Sequence, residues 1–220
     1  MIYVKGSRYL RPPPNMNTTK LLICAVSVAA AVVAAKASAQ NLNANYIGVS
    51  PGFSVNGTFD NGAGVWNIPS GVMDFTTFGA FCVDPTQGIS DNEALVYQTQ
   101  DLSLLANSNQ ISRLVGGYLG SSKSAEQAAA VQWAIWEITT EHTSGLSLLD
   151  GNVRIVAPED TATAILANQY LANINSYNPV QLTYLTNPTR QDIVTWCVVP
   201  EPGTMALVAF SGLLLLRRRR

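Results

Sequence analysis

The stretch AVQWAIWEI, residues 130–138, sets a primary amide, Gln132, among tryptophans and aliphatic side chains. It continues upstream as SAEQAA and downstream as TTE, giving the run 124–141. Ser124 can cap the start of a helix, and Gln127, three residues on, completes a capping box in which each side chain satisfies the other's free backbone N–H. The alanines raise helix propensity. Ala128, Val131, Gln132, Ile135 and Trp136 then share one stripe, as 3.6-residue periodicity requires of a core-facing surface. The stretch predicts a helix carrying a buried amide, and the rest of the domain has to accommodate it.

Upstream, YIGVSPGFSVNGTF (46–59) and GVMDFTTFGAFCV (71–83) read as strands, joined through the 60–64 stretch and a turn at Pro69-Ser70-Gly71. Asp60-Asn61-Gly62 is a tight-turn signal; a calcium loop needs more oxygen ligands at fixed spacing. Ile111, Leu114, Val115, Tyr118 and Leu119 recur at helical spacing over 109–120, with Gly120 closing the helix. Downstream, 152–158 predicts a strand, 159–174 a helix with acids in its first turn, and 180–186 and 192–199 two further strands. The pattern is α+β: a strand-rich sheet or barrel, with a helical subdomain inserted between the Cys82 and Gln132 regions.

Both ends of the chain read as address labels. Lys5, Arg8, Arg11 and Lys20 precede an apolar run, Leu21 to Ala35, and a small-residue site at Ala37-Ser38-Ala39, so residues 1–39 are expected to be a secretory signal peptide, starting at Met1 or Met16. The last 22 residues hold Pro200-Glu201-Pro202, a short apolar helix signal from Met205 to Leu216 and four arginines. The apolar run is short for a membrane span of about 20 residues, and the arginines are expected to stay cytoplasmic. This order of parts resembles the PEP-CTERM sorting signal of exopolysaccharide-producing Gram-negative bacteria. The resemblance implies an exosortase-type membrane protease acting near Pro200, Glu201 and Pro202, with transient membrane anchoring before transfer to the cell surface or extracellular matrix. The domain boundaries are then 1–39, 40–198 and 199–220.

Trimming the ends changes the charge. Nine of the 13 basic residues sit in the two terminal signals, so residues 40–200 keep only Arg113, Lys123, Arg154 and Arg190 against 13 acids, a formal charge of −9. Such a body argues against nucleic acid as a partner. No phosphate loop, basic stripe, metal-ligand spacing or cofactor motif is present. Of three cysteines, Cys24 leaves with the signal; Cys82 and Cys197 remain, and counting alone suggests a disulfide between them.

A buried amide without partners costs roughly 1–3 kcal/mol. One answer for Gln132 is a hydrogen bond to the backbone of an adjacent strand, orienting the helix. Another is chemical: a thiolate attacks the carboxamide, ammonia leaves, and a thioester remains that a dry site protects from hydrolysis. The candidate thiol is Cys82, at the end of FGAFCV (78–83), where strand alternation turns Phe81 and Val83 the other way.

Phe81-Cys82-Val83-Asp84-Pro85, followed about 50 residues later by Val131-Gln132-Trp133-Ala134-Ile135-Trp136-Glu137, resembles the thioester domains of Gram-positive surface adhesins. There an aromatic-Cys motif and a Gln-x-Ala-Ile-Trp motif supply the halves of an internal thioester. The resemblance implies Cys82 as thiol, Gln132 as acyl donor, a strand-rich fold with a helical subdomain, and one covalent transfer to an extracellular amine or hydroxyl. That is single-turnover chemistry, not enzymatic turnover. This chain departs from the family in its sorting tail, its lack of stalk domains and its Cys197.

His142, the sole histidine, follows Glu141 at the helix end and is a possible assistant in proton transfer. Trp66, Trp133, Trp136 and Trp196 are candidates for stacking on sugars, Trp133 lying off the Gln132 stripe, but core and interface packing is the favoured reading for the set. The alternative to covalent adhesion is a non-covalent, exopolysaccharide-associated matrix protein with a Cys82–Cys197 disulfide.

Overall fold

The computed structural model describes residues 40–59, 64–141, 145–156 and 158–196. The signal-peptide and sorting-tail segments, the Asp60-Asn61-Gly62 turn, His142 and Cys197 lie outside the described residues. Among those described, no helix is long and apolar enough to cross a membrane.

The domain is α+β, with three α-helices and one antiparallel sheet of seven strands among the described residues. The strands are β1 (Asn41–Thr58), β2 (Trp66–Phe75), β3 (Gly79–Cys82), β4 (Ala94–Gln100), β5 (Arg154–Ile155), β6 (Thr183–Asn187) and β7 (Arg190–Thr195). The helices are α1 (Ser108–Leu119), α2 (Ala125–Glu141) and α3 (Thr161–Ala172).

β1 organises the sheet because it is long enough to serve two partners. Asn41 to Asn45 pair with β4, while Tyr46 to Gly57 pair with β2. The change of edge falls at Asn45 and Tyr46: the Asn45 carbonyl accepts from Thr76 N, and Tyr46 N donates to Glu93 O. With β2–β3, β3–β7, β7–β6 and β6–β4 also paired, the ladder closes on itself, and β5 is added beside the end of β1. Closure removes the open edges that a flat sheet would expose.

The expected turn at Pro69-Ser70-Gly71 is not a turn. These residues lie inside β2, opposite Ser54, Phe53 and Gly52 of β1. The local Pro and Gly instead mark an irregularity, where the register of β1 shifts between Val49 and Gly52. Gly71 has φ of +144°, and a Cβ there would lie 2.3 Å from the Pro51 carbonyl oxygen. A Cβ on Gly52 would meet the Ser70 carbonyl oxygen at 2.3 Å. Only glycines allow the two backbones to approach this closely. The chain reverses later, with Phe75 N donating to Phe78 O at 2.9 Å.

The region between Cys82 and Gln132 is not wholly helical. β4 returns to the sheet there, between β1 and β6, before α1 begins. Its alternation is plain in the structure: Leu95 and Tyr97 face inward, Ala94, Val96 and Gln98 outward. The expected strand at 152–158 shortens to the two residues of β5, while helices α1 and α3 and strands β6 and β7 form near their expected positions.

Helix α2 starts with the capping box: Ser124 N donates to Gln127 Oε1 at 3.0 Å, and Gln127 N to Ser124 Oγ at 3.3 Å. Its burial is wider than a stripe, because every residue from Ala128 to Ile138 is buried. The helix packs on β1, β2 and β3 and is flanked by α1 and α3. Alanines at 128, 129, 130 and 134 permit contact on all sides. Trp133 stacks on Phe59 with ring centres 5.4 Å apart and meets Trp136 edge-on at 5.3 Å.

Candidate functional site

The site begins with a break in hydrogen bonding at the end of β3. Phe81 and Cys82 stand opposite Val194 and Ile193 of β7, and Val83 N donates to Asp192 O at 2.9 Å. Antiparallel pairing directs successive residues to opposite edges, so the Cys82 N–H and C=O face away from β7, toward β2. The β2–β3 pairing ends at Met73 and Ala80. Two residues further along, where β2 would meet Cys82, stands Gly71, engaged instead with Pro51 and Gly52.

Gln132 fills the missing rung. Cys82 N donates to Gln132 Oε1 at 2.9 Å, and Gln132 Nε2 donates to Cys82 O at 2.9 Å. The carboxamide replaces one peptide unit of the absent strand, so a buried primary amide is satisfied and α2 is fixed to the sheet. The structure therefore brings together Cys82 and Gln132, fifty residues apart in sequence. It does so through the Cys82 backbone. The thiol itself donates to the Asp84 carbonyl oxygen at 3.2 Å.

Cys82 is a free, buried thiol. Burial pushes its pKa up to about 12, the Trp136 side chain and the Asp84 backbone oppose the rise, and the Asp84 and Asp192 carboxylates add to it. At neutral pH the sulfur is protonated, and it is a poor nucleophile until charge on it is stabilised. Tyr46 is raised to about 12 by burial, by Asp91 and by Cys82. Asp192 is also raised, chiefly by burial, although Asn187 N and the Tyr184 hydroxyl donate to it.

Cys82 and Gln132 open onto a pocket of about 230 Å³ whose walls include Tyr46, Met73, Asp91 and Trp136. The wall is mainly apolar, with Asp91 its one carboxylate. A small nucleophile would fit, in a setting that favours exclusion of water. Among the described residues no three His, Cys, Asp or Glu side chains form a group able to hold a metal.

Three of the four tryptophans take the packing role favoured for them, and the suggestion that Trp133 is exposed does not hold. Trp133 is fully buried, because Gly57 leaves room for its ring and its Nε1 donates to Ser70 Oγ at 2.9 Å. Trp136 is buried as well, and Trp196 packs on Phe81 and Tyr118. Only Trp66, 61% exposed, is open enough to stack on a sugar. Sequence reasoning also passed over the Trp136 N–H, a buried donor with no hydrogen-bond partner. The signal available was its position one turn beyond Gln132 on the same stripe.

His142 and the sorting residues Pro200, Glu201 and Pro202 lie outside the described residues, as does Cys197, the second member of the alternative disulfide. Cys82 stands opposite Ile193, and from that pair the two strands run in opposite directions. Compared with known proteins, the chain matches no family model, no curated protein and no solved structure.

Proposed function

We propose that the chain forms an internal thioester between Cys82 and Gln132 and spends it once, attaching covalently to an extracellular amine or hydroxyl. The observation that carries this reading is the two-point clamp of the Gln132 carboxamide on Cys82. It holds the acyl group against the residue that bears the thiol, which supplies proximity without a diffusive search.

In the first step the Cys82 sulfur adds to the Gln132 side-chain carbonyl carbon. Negative charge grows on Oε1, which already accepts the Cys82 backbone N–H, so one residue supplies both nucleophile and oxyanion donor. The thiol proton ends on the amide nitrogen, the C–N bond breaks, and ammonia leaves as the S–C bond forms. In the second step an incoming amine attacks the same carbon. The S–C bond breaks, an amine proton returns to sulfur, and an amide joins protein to target. A hydroxyl gives an ester in the same way. Because the thiol is so weakly acidic, its departure is slow for random encounters and favoured for a nucleophile docked in the pocket.

The same proposal takes residues 1–39 as an export signal and 199–220 as a sorting tail handled by an exosortase-type protease. The protein would then meet its target at the cell surface or in the extracellular matrix. The closed ladder of strands is read as the barrel expected of a thioester domain, with α1, α2 and α3 as its helical part.

One observation favours a second reading. Gln132 is already satisfied by Cys82, so its role can be purely to replace a strand. The protein would then be a non-covalent matrix component. Methylamine separates the two. Under the thioester reading it adds to Gln132 and releases one thiol at Cys82, both found by peptide mass. No adduct at Gln132 leaves the second reading standing.

A further inference from the structure

We propose that Trp136 is a catalytic residue of this site, its indole N–H serving the Cys82 sulfur whenever that atom carries negative charge. The role in reaction rests on the thioester reading; the pairing of a buried, unpartnered indole N–H with the thiol in one pocket does not. Trp136 Nε1 is buried and has no hydrogen-bond partner. Its ring lines the same pocket as Cys82 and Gln132. The Trp136 side chain acts on the Cys82 thiol in the sense that favours the thiolate. A donor held in place but unused in the ground state is what differential stabilisation of a transition state requires.

Trp133 shows that the fold is able to satisfy a buried indole on this helix. Three residues earlier on α2, its Nε1 reaches Ser70 Oγ at 2.9 Å. Trp136 has no such partner, and the surrounding groups explain what it must offset. Burial and the Asp84 and Asp192 carboxylates oppose charge on the sulfur, while the Asp84 backbone works against them. Trp136 is the side chain that pulls the other way. As sulfur attacks Gln132, the N–H stabilises the charge before the proton reaches the departing nitrogen. As the target amine displaces sulfur, it stabilises the leaving thiolate until the proton returns.

The test uses the full chain, treated with methylamine and then freed of it, so that Cys82 carries a thiol whether or not a thioester had formed. Carbamidomethylation of Cys82 by iodoacetamide is followed by peptide mass between pH 7 and 9. With Trp136→Phe the rate is expected to fall about three- to tenfold at each pH, the loss of one modest hydrogen bond to a charged group. A purely structural Trp136 predicts the opposite sign, since looser packing exposes a buried thiol. Trp133→Phe, the control, should not slow the reaction. Methylamine uptake by untreated Trp136→Phe should slow by about tenfold or more, in line with loss of a transition-state donor.

If the wild-type chain takes up no methylamine while Trp136→Phe still slows alkylation, the thioester reading fails and the inference that the indole N–H serves the sulfur survives. If the wild type takes up methylamine and Trp136→Phe alkylates as fast as wild type or faster, the inference about Trp136 is overturned alone. Should Trp136→Phe not fold, benzothienylalanine at position 136 keeps the ring shape without the N–H and is read in the same way.

Discussion

The two buried polar side chains of α2, Gln132 in its middle and Glu137 toward its end, face opposite demands. Gln132 meets a strand, and both ends of its amide dipole are paired at 2.9 Å. Glu137 meets a loop: Oε1 accepts from Ser147 N at 2.7 Å, while buried Oε2 has no partner. Burial raises Glu137 to about 7, with the Ser147 bond opposing and Glu141 adding to the rise. One turn on, Glu141 accepts from the backbone of Asn152 and Val153, so two carboxylates hold the 147–153 loop by its amides. A neutral amide suits a fixed site whose geometry must not change with pH. A carboxylate suits a loop that needs strong acceptors, and its position carries a titration with it.

The sharpest way to break this comparison is Gln132→Ala. It leaves the Cys82 N–H and C=O unpaired and opens a void, so unfolding stability should fall by about 3–5 kcal/mol. Urea denaturation showing a loss under about 1 kcal/mol would mean that the rung at Cys82 is replaceable by water.

The Glu137 side of the comparison is tested by pH. Its folded pKa lies above its ordinary value of 4.5. The folded state therefore holds a proton that the unfolded state releases, and stability drops as pH rises from about 4.5 through about 7. Glu137→Gln keeps an acceptor for Ser147 N and removes that titration. The variant should be the more stable above pH 7, with the difference vanishing below about 4.5. Equal dependence on pH in both proteins would reject the assignment.

The two tryptophans sharpen it further. Trp133→Phe breaks the bond to Ser70 and should cost about 1–2 kcal/mol, whereas Trp136→Phe breaks no full bond and should cost less than Trp133→Phe. Thermal unfolding of the pair checks the order. The smallest effect is expected at the helix start, where Ser124→Ala removes half of the capping box for about 1 kcal/mol.

What the sequence made legible was local. Ser124 and Gln127 announce the start of α2 through a motif whose partners are three residues apart. Ile111 to Leu119 announce α1 through periodicity. The Cys82–Gln132 juxtaposition was legible for a different reason: an amide on an apolar stripe demands a partner, and a strand ending in Cys offered one. The bulge was not legible. Pro69-Ser70-Gly71 carries the residues of a turn, and only pairing with distant Gly52 makes it a strand irregularity that leaves Cys82 without a neighbour. Nor was β4: its alternation is short, and its partners β1 and β6 lie far off in sequence. The burial of Trp133 is not legible from one apolar stripe, because packing from sheet and helices covers every face of α2 from Ala128 to Ile138.

The central claim is a covalent bond, and weighing the intact, freshly purified chain tests it most directly. The account expects a mass one ammonia below that of the same polypeptide with free Cys82 and Gln132, and no such deficit in Cys82→Ala or Gln132→Ala. A wild-type mass with the full complement of amide nitrogen, unchanged by methylamine, would contradict it.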